Sequence, residues 1–349
     1  MKYKLLGRSG LRVSEISLGT MTFGPDWGWG AEKEESRKIF DAYAEAGGNF
    51  IDTANLYTNG TSEKYVGEFV AGDRDHFVVA TKYSLSTRQD DPNASGNHRK
   101  NMTHALEASL KRLNTDYIDL YWLHAWDNMT PVDEVMRALD DMVRAGKILY
   151  VGVSDTPAWI VSRANTMADL MGWSPFVALQ IEYSLIQRTV EADLLPMARA
   201  LDLAVTPWAA LGRGILTGKY KGSENQVEAE DSKRIDVMKS RGGIDPKHLK
   251  IAEEVKSIAQ KLGATPAQVA LNWVRQKSGV VIPIVGARTE TQIKDSLGCL
   301  QFELSADDMQ QLDNASAVPL GFPHDVMASE WFRQIIYGNN FDLIDNHRP

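Results

Sequence analysis

Short apolar runs alternate with amphipathic stretches along almost the whole chain. The runs at 16–20 (ISLGT), 48–52 (GNFID), 77–82 (FVVATK), 117–124 (YIDLYWLH), 148–154 (ILYVGVS), 176–182 (FVALQIE), 203–208 (LAVTPW) and 280–286 (VVIPIVG) read as buried strands. A continuous rather than alternating apolar run is what a strand covered on both faces requires. Helical periodicity fills the intervals at 32–46, 62–71, 99–113, 132–145, 157–171, 191–201, 246–262 with 266–277, and 289–298. Regular βα alternation predicts a parallel sheet, and eight units predict closure into a (β/α)8 TIM barrel. An open doubly wound sheet fits the alternation too, but eight units make a long one.

Two segments break the rhythm. Before the first strand, KYKLLGRSGLRVSE forms two short pieces around Ser9-Gly10, a hairpin signal placed to plug the barrel bottom. Between 212 and 246 the chain is rich in Gly, Lys, Ser and acids and lacks periodicity. A long loop after strand seven is expected to be a functional lid. The tail from 319 to 349 mixes Pro, Gly and aromatics (Trp331, Phe332, Tyr337, Phe341), predicting a helix and loop packed on the barrel. No stretch has linker composition, so residues 1–349 are expected to form one domain.

Composition narrows the function. The 349 residues include 38 basic and 46 acidic side chains, a net charge of −8. Such a surface repels phosphate backbones, so nucleic acid is not the expected partner. The single cysteine, Cys299, excludes an intrachain disulfide and a cysteine-built zinc site, and no metal site is expected. The first residues carry no apolar core of a signal peptide, and no apolar run is long enough to span a bilayer. A cytoplasmic chain, monomeric or homo-oligomeric, is the expectation, and the Asn-x-Ser/Thr triplets are read as chance.

The reacting groups of such barrels lie at the C-terminal ends of the strands. Read in order, those ends are Gly19-Thr20-Met21, Asp52, Lys82, His124, Ser154-Asp155, Gln180 to Glu182, Trp208 and Gly286 to Arg288. Tyr57 follows Asp52 in DTANLYTNG. Alone, Asp52 reads as a helix cap, Lys82 as a surface lysine, His124 as a core histidine, Trp208 as packing and Arg288 as a solvated helix start. A carboxylate, an amine, a phenol and an imidazole on successive strand ends form a proton-handling set. A tyrosine titrates near pH ~10. An ammonium beside it favours tyrosinate, a carboxylate holds the ammonium, and a neutral histidine can orient a carbonyl oxygen. The set Asp52–Lys82–Tyr57–His124 is suited to protonating a carbonyl oxygen and needs a hydride donor to complete a reduction.

At these residues the chain resembles the aldo-keto reductase family. DTANLYTNGTSEKYVG is similar to the signature after its second strand. VVATK carries the lysine and YWLHAWD the histidine, while WAALGRGILTGKY and PIVGARTETQIKDSLG resemble the blocks after strands seven and eight. The long loop points to the branch that holds aryl-alcohol dehydrogenase-like enzymes and potassium-channel β subunits. The resemblance implies NADPH-dependent reduction of aldehydes or ketones, with Tyr57 as general acid, Lys82 and Asp52 tuning it, and His124 orienting the carbonyl.

By position, Thr20, Met21 and Asp52 would border the cofactor. Ser154, Asp155 and Gln180 would hold the carboxamide, and Trp208 would stack on the nicotinamide. Leu211, Gly212, Arg213 and Lys219 would line the pyrophosphate, with Arg234 closing over it. Gly286, Arg288 and Gln292 would surround the 2′-phosphate, with Asp295 and Ser296 near the adenine. Three departures touch the cofactor grip: Asp155 stands where Asn or Arg is frequent, Ala209-Ala210 replace Ser-Pro, and Asp295-Ser296 replace Glu-Asn.

Other dinucleotide and nucleotide signatures fail. GRGILTGK spaces Gly212 and Gly218 too widely for a phosphate loop, and Tyr220 follows where Ser or Thr is needed. No G-x-G-x-x-G follows a strand and no Tyr-x-x-x-Lys occurs. Two rivals stay open: a cofactor-sensing subunit of the channel-associated kind, and a barrel enzyme that binds a sugar phosphate through Gly286 to Arg288. Against the former stand His124 and the absence of a long N-terminal extension. Trp27 and Trp29 in FGPDWGWG, with Trp126 after the histidine, suit an aromatic aldehyde or the apolar face of a sugar.

Overall fold

The computed structural model describes residues 1–219 and 245–346. A hairpin of β1 (Tyr3–Leu5) and β2 (Arg12–Ser14) comes first. Eight parallel strands follow in spatial order β10-β3-β4-β5-β6-β7-β8-β9. They are β3 (Ser17–Gly19), β4 (Phe50–Asp52), β5 (Val78–Tyr83), β6 (Ile118–Leu123), β7 (Ile148–Ser154), β8 (Phe176–Glu182), β9 (Ala204–Trp208) and β10 (Ile284–Gly286). Closure occurs just before β10, where Val205 pairs with Val281 and bonds to the backbone on either side of it. The architecture is the (β/α)8 barrel that the periodicity predicts.

Each predicted strand is present, but β10 is shorter than its apolar run. Pro283 lacks an N–H and interrupts the ladder, so only Ile284–Gly286 pairs with β3. The helices fall at Lys33–Glu45, Thr61–Val70, Arg99–Leu113, Val132–Arg144, Ala158–Met171, Leu194–Ala200, Pro246–Leu262, Pro266–Arg275 and Glu290–Leu297. Their starts follow local chemistry. Asp245 caps the backbone of Lys247, and Thr265 with Gln268 closes a reciprocal capping box, each ahead of a proline that fits the first helical turn.

Two apolar layers result. One lies between strands and helices; the other fills the barrel with Phe50, Val78, Leu120, Trp122 and Ile282. The inner layer includes Leu6 and Val13 from the hairpin, which therefore seals the barrel bottom. Gly152 is obligatory there, because a Cβ would meet the Trp122 ring at 2.4 Å. A cavity of about 700 Å³ opens on the hairpin side, and its Glu15 and Arg275 are already paired at 2.8 Å.

The tail corrects an expectation. It forms helices His324–Met327 and Glu330–Tyr337, but Trp331 is 65% and Ile335 61% exposed. The segment closes on itself instead of on the barrel. Ser329 caps Phe332, Tyr337 packs on Phe341 at 5.1 Å, and the Arg333 guanidinium covers the Phe341 ring. Most of the long loop after strand seven, expected to be a lid, lies outside the described residues, with Tyr220 and Arg234. Among the described residues no helix is long and apolar enough to cross a membrane, and no cluster of metal-ligating side chains occurs.

Candidate active site

The loops after the strands carry most of the left-handed non-glycine residues: Thr58, Asn59, Ser84, Asn128, Asp155, Ala209 and Arg213. Such backbone persists only where its surroundings fix it, and it concentrates at functional sites. The loop DTANLYTNG illustrates this. Thr58 and Asn59 have φ of 44° and 55°, and Gly60 has φ of 91°. The Thr58 hydroxyl donates to the Phe23 carbonyl (2.6 Å) and accepts from the Ser62 amide (3.0 Å), pinning the turn. Below it, Arg112 packs so close to Gly60 that a Cβ would sit 2.7 Å from its Cδ. Arg112 also pairs with buried Glu63 (2.5 Å), which accepts from the Thr81 hydroxyl (2.6 Å). Tyr57 and Lys82 are thereby braced by one buried network reaching from Arg112 to β5.

Lys82 is fully buried, so each ammonium proton needs a partner. It donates to Asp52 Oδ2 at 2.5 Å, to the Thr53 carbonyl at 2.8 Å and to the Tyr57 hydroxyl at 3.2 Å. Burial alone lowers the Lys82 pKa; Asp52 and Tyr57 outweigh it and raise it. Burial likewise dominates at Tyr57, whose pKa is raised although Lys82 pulls it down and Asp52 and Asp155 push it up. The net direction is opposite to the sequence expectation, because the phenol loses more hydration than one ammonium, itself neutralised by Asp52, restores.

The His124 ring stands edge-on to Tyr57, centroids 6.0 Å apart at 82°. Burial, then the Lys82 charge, lowers its pKa to about 3, so the imidazole is neutral at ordinary pH. Trp27 also stands edge-on to Tyr57 (6.4 Å) and leans on Trp29 (5.7 Å). Their loop is a tight fold-back: Gly24 and Ala31 bond across its base, and Gly30 lies so near the Gly24 carbonyl that no side chain fits. Trp126 follows His124 on the same rim, and its amide donates to the Asp155 carbonyl at 3.4 Å. The catalytic candidates and the tryptophans of the first loop thus converge.

The neighbouring strand ends also assemble. Ser154 of β7 lies in register with Gln180 of β8. Gln180 donates through Nε2 to Asp52 Oδ1 at 2.9 Å. Asp155 accepts from the Trp208 indole at 3.2 Å, and burial raises its pKa, with Glu182 adding to the shift. Arg213 pairs with Glu182 at 2.9 Å and covers the Trp208 ring at 5.8 Å. Gly212 is pressed against Ile186, which explains its lack of a side chain, and Leu211 packs on the core.

Several predicted cofactor contacts are already engaged within the protein. The Thr20 hydroxyl donates to the Asp52 carbonyl (3.0 Å) and lies 2.8 Å from Ser62. Gln292 accepts from the Arg288 amide at 2.9 Å. Asp295 accepts from Thr265 and Gln268, and Ser296 is buried beside it. Met21, Lys219 and Gly286 are exposed on the rim. The network of Thr53, Ser62, Glu63 and Arg112 is absent from the sequence expectations. The -SE- of the signature loop was its one local sign.

A nicotinamide fits these residues. The buried Ser154 Oγ has no hydrogen-bond partner among the described residues, and none of them donates to Gln180 Oε1. One hydroxyl donor beside one amide acceptor matches a carboxamide, and the Trp208 ring offers a stacking face.

A sequence model of the Aldo/keto reductase family matches residues 15–317. A norsolorinic acid reductase of Emericella nidulans is 38% identical over 325 residues, 90% of this chain and 81% of its own length. The aryl-alcohol dehydrogenase [NADP(+)] of Phanerodontia chrysosporium is 38% identical over 331 residues, 90% of this chain and 86% of its own length. A putative aryl-alcohol dehydrogenase of Saccharomyces cerevisiae is 35% identical over 336 residues, 92% and 88% respectively. Matched along nearly all of its barrel, the chain belongs to the aldo/keto reductase family and is an oxidoreductase.

Proposed function

We propose that the protein reduces aromatic aldehydes or ketones to alcohols, reversibly, with NADP(H) as cofactor and Tyr57 as proton donor. The observation that carries this reading is the Lys82 ammonium, whose third proton meets the Tyr57 hydroxyl at 3.2 Å. When bound, a reduced dinucleotide would supply the hydride that the carbonyl carbon needs. Tyr57 gives its proton to the carbonyl oxygen, and the tyrosinate left behind is held by Lys82, which Asp52 keeps charged and in place. In alcohol oxidation the same tyrosinate takes the proton back. Neutral His124 donates a hydrogen bond to the carbonyl oxygen without competing as an acid. Ser154 and Gln180 would hold the carboxamide, with Asp155 next to them in the chain; Trp208 would offer a stacking face, and Arg213 and Lys219 would supply positive charge for the phosphates.

Trp27, Trp29 and Trp126 support an aryl substrate, since indole faces favour flat apolar rings. The names of the Phanerodontia and Saccharomyces relatives point the same way. A sugar-like carbonyl compound, whose apolar face also suits indoles, is the second reading. Arg288, just before helix Glu290–Leu297, supports NADP(H), because a planar guanidinium favours a phosphate dianion. The test is a panel of aryl, aliphatic and sugar aldehydes, followed by NADPH absorbance, on wild type and Tyr57→Phe. Aryl aldehydes should lead, and the variant should lose ~10²-fold or more in turnover while binding NADPH normally. A variant that keeps most of its turnover removes Tyr57 from the mechanism.

A further inference from the structure

β8 lies directly across the closed barrel from β4, with three strands between them on either side. Yet Gln180 of β8 reaches Asp52 of β4, its Nε2 donating to Oδ1 at 2.9 Å with both residues buried. This contact completes Asp52. One oxygen binds Lys82 and the other binds Gln180, so the carboxylate has no freedom to rotate and take Lys82 with both oxygens. The other end of the same amide, Oε1, takes no bond from any described residue and sits in register with the unpartnered Ser154 hydroxyl.

We infer that Gln180 is a positioning residue that links the nicotinamide carboxamide to Asp52, so that cofactor binding and the placement of Lys82 are energetically coupled. The physical basis is amide polarisation. Donation from Nε2 to a carboxylate makes Oε1 a stronger acceptor, and a donor at Oε1 strengthens the bond to Asp52 in return. By linkage the effect is reciprocal: the part of Asp52's influence on cofactor affinity that passes through Gln180 is lost when the Gln180 amide is removed. This inference rests on the proposed cofactor and on Ser154 and Gln180 as its carboxamide site.

The experiment is a double-mutant cycle on the full chain. Affinities of NADPH and of adenosine 2′,5′-bisphosphate, which lacks the nicotinamide, are measured calorimetrically for wild type, Asp52→Asn, Gln180→Met and the double variant. Asp52→Asn should weaken NADPH binding about five-fold or more, the usual scale of such coupling, and should have no such effect in the Gln180→Met background. The bisphosphate should bind alike in all four proteins. A merely structural role would move both ligands together. If Asp52→Asn weakens NADPH equally with Met at 180, Asp52 acts directly and the inference fails. If Asp52→Asn leaves NADPH affinity unchanged, it fails as well. Should Gln180→Met not fold, Gln180→Asn takes its place, keeping the amide but falling one methylene short of Asp52. Tyr57→Phe turnover is read in parallel: retained turnover overturns the proton-donor reading, while an absent binding cycle with a dead Tyr57→Phe overturns only the role of Gln180.

Discussion

The Lys82 ammonium stands 2.5 Å from the Asp52 carboxylate, and neither side chain is more than 4% exposed. Removing one member of a buried pair leaves the other charge unpaired, which costs ~3–5 kcal/mol, whereas removing both charges is often close to neutral. Lys82→Met should therefore lower both stability and turnover. Lys82→Met combined with Asp52→Asn should recover most of the stability and none of the turnover. Urea unfolding beside a turnover assay separates the two effects. If the double variant stays as unstable as Lys82→Met, the pair is not the source of the loss.

His124 sets a pH dependence of stability. An unfolded histidine binds its proton below pH ~6.5. In the folded chain, burial and then Lys82 delay protonation to about 3. Between these values the unfolded state holds the extra proton, so stability falls as pH falls through that window. His124→Asn should flatten the slope of unfolding free energy against pH by up to one proton between pH ~3 and ~6.5. An unchanged slope would mean that His124 protonates in the fold without cost.

Much of this was legible in the chain because the strands are covered on both faces. A run such as FVVATK has no solvent side to dilute its pattern, and β5 at Val78–Tyr83 falls almost on it. Asp52, Lys82 and His124 are legible from a positional rule of barrels and Tyr57 from the loop that follows Asp52, and the four do meet. The contact from Gln180 to Asp52 was not legible. It spans 128 residues and depends on how side chains from opposite strands interdigitate, which no local pattern encodes. The direction of the Tyr57 shift is not legible for a related reason: spacing places a cation nearby, but only packing sets the loss of hydration that raises the pKa. The tail is not legible in the chain because its aromatics promise a core contact, whereas Trp331 and Ile335 stay 65% and 61% exposed.

Cys299 should be silent. It is fully buried, and burial pushes its thiol up to about 12. A thiolate is the reactive form, so a thiol reagent should label the folded protein only as fast as it opens. Labelling in denaturant should give one equivalent at once. Rapid labelling of the native chain, with its melting temperature intact, would place Cys299 at an accessible surface.

Arg288 should decide between the two dinucleotides. It follows β10 at the mouth of the barrel, and the next helix, Glu290–Leu297, is capped by Thr289. The Arg288 amide is tied to the Gln292 side chain at 2.9 Å, which fixes the backbone from which the guanidinium extends. A 2′-phosphate is the only group that distinguishes NADPH from NADH, and a planar guanidinium can bind it with two hydrogen bonds. The chain as a whole carries a net charge of −8, so a cation at the rim has to overcome a repulsive background. A hydrogen bond to a charged group contributes ~1.5–3 kcal/mol, or about 10- to 150-fold in affinity. Arg288→Ala should weaken NADPH by that order and leave NADH nearly unchanged. The nine tryptophans, with Trp208 on the proposed nicotinamide face, make fluorescence quenching a direct readout. Equal losses for both cofactors would mean that Arg288 does not read the 2′-phosphate. Tighter binding of NADH by the wild type would overturn the NADP assignment itself, because no arrangement of rim cations would then be favouring the extra phosphate.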